Sequence, residues 1–137
     1  MIVSYTKFPS KDPNFPFFLR PILGVEISSG SKKVVVKGHL DTGADHTLIN
    51  KQWAKALGIE WRQGKPSQAR GIIGGTVPVF LHEIYLEVLS LPNSKKLITA
   101  GFVDSPNVGT LLGQIGFFDH FRVSFDRPKN LFEVDLA

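Results

Sequence analysis

Short strand-forming runs, each closed by a cluster of turn residues, recur along this chain from Ile22 onward. Residues 22–27 and 33–40 flank Ser28-Ser29-Gly30-Ser31, a sequence suited to a hairpin turn. Val34-Val35-Val36 suits the pleat, where β-branched side chains pack well. Residues 68–89 read as a long hairpin turning at Gly74-Gly75, and Pro78 places its return arm at an edge or toward solvent. Leu91-Pro92-Asn93-Ser94 makes the next turn, before a strand at 97–103. Residues 122–125 and 131–134 form a last hairpin around Asp126-Arg127-Pro128-Lys129-Asn130. Helical signals are confined to two short windows. One is residues 51–57, with Asn50 as cap, Trp53, Ala54 and Leu57 on one face, and Gly58 as stop; the other is residues 115–121. The expectation is a mostly β fold with one or two short helices.

The 137 residues suffice for a single domain with its own core. Apolar residues make up 42% and charged residues 20%, which excludes a disordered chain. Residues 1–21 stand apart from 22–137. They hold Pro9, Pro13, Pro16 and Pro21, four of the nine prolines, interleaved with Phe8, Phe15, Phe17 and Phe18. Each proline fixes φ and removes a donor, so an extended arm is expected. Its phenylalanines are expected to pack on the chain's own domain or on a second subunit. There is no cysteine, which excludes disulfides, thiolate metal sites and cysteine nucleophiles. No apolar run reaches the length of a membrane span, and no signal peptide is visible at the start, so a cytoplasmic protein without membrane partners is expected. The net charge of +4 is dispersed. Lys32-Lys33 and Lys95-Lys96 sit beside turns as solvated hairpin ends, so nucleic acid is not an expected partner.

Chemistry concentrates at Leu40-Asp41-Thr42-Gly43-Ala44-Asp45-His46-Thr47-Leu48-Ile49. A carboxylate stands where an apolar strand ends, a costly place unless its charge is satisfied. Gly43 lets the backbone turn tightly and bring N–H groups toward that carboxylate, and Thr42 adds a hydroxyl able to bridge to a neighbour. An ordinary turn with Asp capping its own loop is the plainer alternative. A weak internal echo is visible: residues 38–43 and 109–113 both place apolar residues shortly before a Gly.

This stretch resembles the active-site loop of the retropepsin-like aspartic proteases, in which Asp-Thr-Gly-Ala, often followed by Asp, lies between apolar strands. Arg70-Gly71-Ile72-Ile73-Gly74-Gly75-Thr76-Val77-Pro78 looks like the family's glycine-rich flap. Thr110-Leu111-Leu112-Gly113 resembles its apolar-apolar-Gly signature, and residues 113–134 look like the tail of single-domain bacterial members. The resemblance covers roughly residues 22–135. It implies an all-β, closed-barrel domain with a flap hairpin that works as a two-fold homodimer. It implies an aspartic endopeptidase, needing no metal or cofactor, that takes an extended peptide or protein substrate. Asp41, Thr42 and Gly43 are the implied catalytic residues, and Ala44, Asp45, His46, Ile73, Gly74 and Gly75 the implied substrate contacts.

Aspartic proteolysis needs two carboxylates that share a proton, because like charges so close cannot both ionise. The chain has one Asp-Thr-Gly; Asp104, Asp119 and Asp126 lack that context, and there is no room for a second lobe. The second carboxylate must then be Asp41 of another copy. The resemblance also implies that Thr42 locks the two loops across the axis. One departure stands out. Retroviral members carry Arg after the apolar-apolar-Gly signature, paired with the Asp two residues after the loop Gly; this chain has Gln114, leaving Asp45 to Arg20, Arg70, Arg122 or solvent. His39 shares a strand face with Asp41 and is either a satisfied strand histidine or an electrostatic neighbour of the site. His82 and His120 lack metal-ligand spacing. Two other functions compete: a peptide-binding or assembly module that keeps the fold but cleaves little, and a basic nucleic-acid-binding β domain.

Overall fold

A computed structural model of the chain describes residues 1–72 and 75–137, apart from the side chains of residues 70–72. Twelve strands follow in order: β1 (Ile2–Ser4), β2 (Thr6–Pro9), β3 (Phe17–Arg20), β4 (Ile22–Ser29), β5 (Lys32–Leu40), β6 (Leu48–Asn50), β7 (Lys65–Ile72), β8 (Gly75–Val88), β9 (Lys96–Val103), β10 (Thr110–Leu112), β11 (Phe121–Asp126) and β12 (Leu131–Leu136). Seven of them form one sheet in the order β4-β5-β10-β6-β9-β8-β7, and β4 also pairs with β8. Val25 therefore faces Val36 on one side and Val88 on the other. The sheet curls until its first strand reaches its sixth.

Period-two alternation fixes which side of each strand faces inward. Leu23, Val25 and Ile27 of β4 are buried, and so are Ile84, Leu86 and Val88 of β8. Central β6 is buried on both faces, and its two apolar residues divide between two clusters. Ile49 belongs to the large core with Phe102, Leu112 and Phe117; Leu48 belongs to a smaller one with Val79, Val103 and Val108. Pro78 stands opposite Gln68 of β7, one residue before β8 gains β9 as a second partner, so its missing N–H costs no ladder bond on that side.

Residues 1–21 are divided between two sheets. β1 adds to the edge of the β12–β11 pair, while β2 and β3 form a separate two-stranded hairpin. Phe8, Phe15 and Phe17 remain exposed on that hairpin. Lys7 lies over the Phe17 ring and Arg20 beside that of Phe18.

The expected helices do not form. Among the described residues the helical segments are three-residue 3-10 turns, at Lys51–Trp53, Trp61–Gln63 and Arg127–Lys129. Asn50 does cap the first, its Oδ1 accepting from Gln52 N at 3.0 Å. The segment then closes on itself, with Ile59 N donating to Ala54 O, so Ala54 and Leu57 reach the core without a regular helix. A window of seven residues is too short to repay helix nucleation. Residues 115–121 are interrupted by Gly116 at φ +98°, outside the helical region, and make turns that bury Phe117 and Phe121.

Candidate active site

β5 ends at Leu40, and Asp41 is the first residue beyond it. β10 runs parallel to β5, with His39 level with Leu111 and Leu40 with Leu112. The two echoing segments thus lie side by side, and Asp41 N donates to Leu112 O at 3.0 Å. Asp41 is anchored through its main chain to the second half of the fold while its side chain stays half-exposed.

The loop then turns sharply. Ala44 N donates to Asp41 O at 3.1 Å, and Gly43 N donates to Asp41 Oδ1 at 3.0 Å. This is the close N–H approach that Gly43 was expected to allow. Among the described residues it is the one hydrogen bond to the Asp41 carboxylate.

Residues 44–47 lie along residues 113–115. Gln114 N donates to Ala44 O at 2.9 Å, Ile115 N to Asp45 O at 2.9 Å, and Thr47 N to Ile115 O at 2.8 Å. Buried Thr47 adds its hydroxyl, which accepts from Gly113 N at 3.2 Å. Gly113 is required for this approach: a Cβ there would lie 2.5 Å from His46 O and 2.7 Å from Ala44 O, both main-chain atoms. The Gln114 side chain spans the loop, its Nε2 donating to Thr42 O at 2.8 Å.

The structure places the sequence-derived residues unevenly. Asp41, Thr42, Gly43, Ala44, Asp45 and His46 share one loop braced by residues 112–115. Thr42, Gly43 and Asp45 are exposed. Among the described residues no ion pair engages Asp45; Arg20 stacks beside Phe18 instead. His46 Nδ1 is buried with no partner among the described residues. Gly75 opens β8 at the β7–β8 hairpin, exposed and with open space around its Cα; Ile73 and Gly74 lie outside the described residues. His39 is half-buried, and burial lowers its pKa from the usual 6.5; the Asp41 carboxylate opposes this shift and the Arg20 guanidinium adds to it.

The family model for aspartyl proteases matches residues 24–114, more than half of the 137. The chain belongs to the aspartyl protease family. The match runs from within β4 to Gln114, so it takes in the Asp41 loop and the β10 segment that braces it, and it makes the chain one of the protease hydrolases. No curated protein matches the chain. No helix among the described residues is long and apolar enough to cross a membrane.

Sequence reasoning read Gln114 as a missing charge and overlooked what its amide does. It also passed over Thr47. The usable signal was an uncharged but hydrogen-bonding residue directly after Leu111-Leu112-Gly113, and a Thr at the edge of an otherwise apolar run.

Proposed function

We propose that this aspartyl protease is an endopeptidase whose catalytic dyad is Asp41 paired with Asp41 of a second copy. The observation that carries this reading is the placement of the single Asp-Thr-Gly: a half-exposed carboxylate at a strand end, held by Gly43 N–H and by no other hydrogen bond among the described residues. Membership of the family supplies the reaction class, and the single motif supplies the need for a partner.

In this reading the sheet forms the closed barrel of a protease domain spanning residues 22–137, with 1–21 as an accessory arm. Two such domains meet about a two-fold axis at their Asp41 loops. One Asp41 is ionised and takes a proton from a water held between the pair. The other, protonated, donates to the scissile carbonyl oxygen. The water oxygen attacks the carbonyl carbon, and the proton then passes to the leaving nitrogen, so the C–N bond breaks without a covalent intermediate. The extended peptide lies between a floor that includes Ala44, Asp45 and His46 and the β7–β8 hairpin, which acts as the lid, with Ile73, Gly74 and Gly75 as its substrate contacts.

Cleavage-site profiling of a diverse peptide library by wild type beside Asp41→Asn tests the reading. Wild type should cleave, and Asp41→Asn should remain a folded dimer without measurable cleavage, because Asn can neither accept nor donate the proton. A wild type that binds peptides but cuts none would favour the peptide-binding module instead.

A further inference from the structure

Asn50 ends β6, and the strand pairs with β9 on one side and β10 on the other. The connection from β9 to β10, residues 104–109, must therefore pass around the end of β6. Asn50 takes hold of it there. Its Nδ2 donates to Ser105 O at 2.9 Å and to Val108 O at 2.7 Å, which uses both amide hydrogens, and its main-chain N donates to Gly109 O at 2.9 Å. The cap on the 3-10 turn occupies only its Oδ1. Within the loop Val108 N donates to Ser105 O at 3.2 Å, and Asn107 N to Ser105 Oγ at 3.4 Å. The next residue adds an ion pair, Lys51 Nζ to Asp104 Oδ2 at 3.2 Å. Residues 50 and 51 thus hold the loop from its first residue to its last.

The place of this loop matters more than its stability. Buried Val108 belongs to the smaller core, with Leu48 of β6 and Val79 of β8; Ala69 of β7, Leu81 of β8 and Leu111 of β10 pack against it. Leu111 stands level with His39, two residues before Asp41, and level residues of paired strands project to one face of a sheet. The smaller core therefore lies on the sheet face of the strand end that leads into Asp41, and it runs from there to the base of the β7–β8 hairpin. Val108 is the loop's share in that core. Residues 104, 106, 107 and 109 are exposed around it.

We infer that Asn50 is a positioning residue for peptide binding: its carboxamide fixes the 104–109 loop, and the loop walls one side of the space between floor and lid. The inference rests on the proteolytic reading above. A loop anchored by one buried side chain can still rock about it; two hydrogen bonds to carbonyls on either side of the exposed residues 106 and 107 stop that motion. The task needs a planar group with two donors and one acceptor, which a carboxamide supplies. Aspartate caps the turn equally well but sets a carboxylate oxygen against two carbonyl oxygens. Serine also caps, and it is too short and too poor in donors to hold both carbonyls.

The test compares Asn50→Ser and Asn50→Asp with wild type on a peptide taken from the profiling library. Both variants keep an acceptor for Gln52 N, so the turn stays capped and the loss falls on the loop. KM should rise about tenfold in Asn50→Ser, the upper end of what one anchoring hydrogen bond supplies, with kcat within about twofold of wild type. Asn50→Asp should raise KM further. A role in stability alone acts differently: fewer molecules fold, so apparent kcat falls while KM stays put. Unchanged KM in Asn50→Ser, whatever kcat does, would overturn the inference. Asn50→Ser adds no charge, so it carries the test even where the carboxylate of Asn50→Asp prevents folding. Binding by the Asp41→Asn protein, read by fluorescence anisotropy on the library's tightest-binding peptide, separates the two proposals. If wild type cuts nothing, about tenfold weaker binding on adding Asn50→Ser to Asp41→Asn still sustains the positioning role, and equal affinities reject it.

Discussion

The side-chain amide of Gln114 donates to the main-chain carbonyl of Thr42 across 2.8 Å, tying the Asp-Thr-Gly loop to the segment after β10. The expected arginine would have acted there as a charge; Gln114 acts as a hydrogen-bond donor to the backbone. The bond is exposed, so its net contribution to stability is about 0.5–1.5 kcal/mol. Its larger effect should be on loop geometry. Gln114→Ala is expected to lower kcat/KM about tenfold with little change in unfolding midpoint. Gln114→Glu should be worse than Ala, because a carboxylate cannot donate and would face the Thr42 carbonyl. Peptidase kinetics beside urea unfolding check this; equal kcat/KM in all three proteins would leave the clamp without a role.

Activity should require association. With one Asp-Thr-Gly per chain, specific activity is expected to fall on dilution once dimers dissociate, and mixing in the Asp41→Asn protein should poison wild type through inactive heterodimers. Sedimentation that finds a fully active monomer would refute the shared dyad.

Gly113→Ala should be among the most damaging single-methyl additions to this chain. The new Cβ meets the carbonyl oxygens of His46 and Ala44, which are main-chain atoms and cannot rotate away. A loss of at least about 2–3 kcal/mol is expected, at the upper end of overpacking costs, together with loss of cleavage in whatever fraction folds. Chemical denaturation monitored by Trp53 and Trp61 fluorescence gives the number.

Thr47 offers a cleaner probe of the same junction. Thr47→Val keeps the shape but removes the oxygen that accepts from Gly113 N, leaving a buried N–H unpaired at a cost of about 1–3 kcal/mol. Thr47→Ser retains the acceptor and should cost less. If Val proves as stable as wild type, that hydrogen bond contributes nothing net.

His39 should make the protein less stable in acid. Burial disfavours the imidazolium, so the folded chain binds this proton only below the ordinary 6.5, while the unfolded chain binds it near 6.5. Between those two values the unfolded state holds more protons, and stability falls as pH falls through that window. His39→Gln should remove this part of the slope. Its unfolding free energy should run parallel to wild type above pH 6.5 and gain on it below. Curves that stay parallel into acid would contradict the assignment.

Much of this protein was legible before any coordinates. The alternation in residues 22–27, the turn residues at 28–31 and the hairpin around 126–130 encode strands locally, and all of them form. The Asp-Thr-Gly was readable as chemistry because a carboxylate at the end of an apolar run is costly without a purpose. The two helices misled because seven residues of helical spacing also suit compact turns, a 3-10 turn at residues 51–53 and plain turns after Ile115, and only packing decides between them. Other relationships had no local signature. Gln114 and Thr42 are 72 positions apart, and Thr47 and Gly113 are 66 apart. The insertion of β6 between β10 and β9, and the convergence of the Asp41 and Arg20 charges on His39, likewise depend on how distant strands pair. Sequence by itself determined which segments are strands and which residue sets a carboxylate at the end of an apolar strand, because periodicity and burial cost act within a few residues. Tertiary structure alone decided what braces the Asp41 loop, because hydrogen bonds act through space between residues whose spacing along the chain carries no pattern.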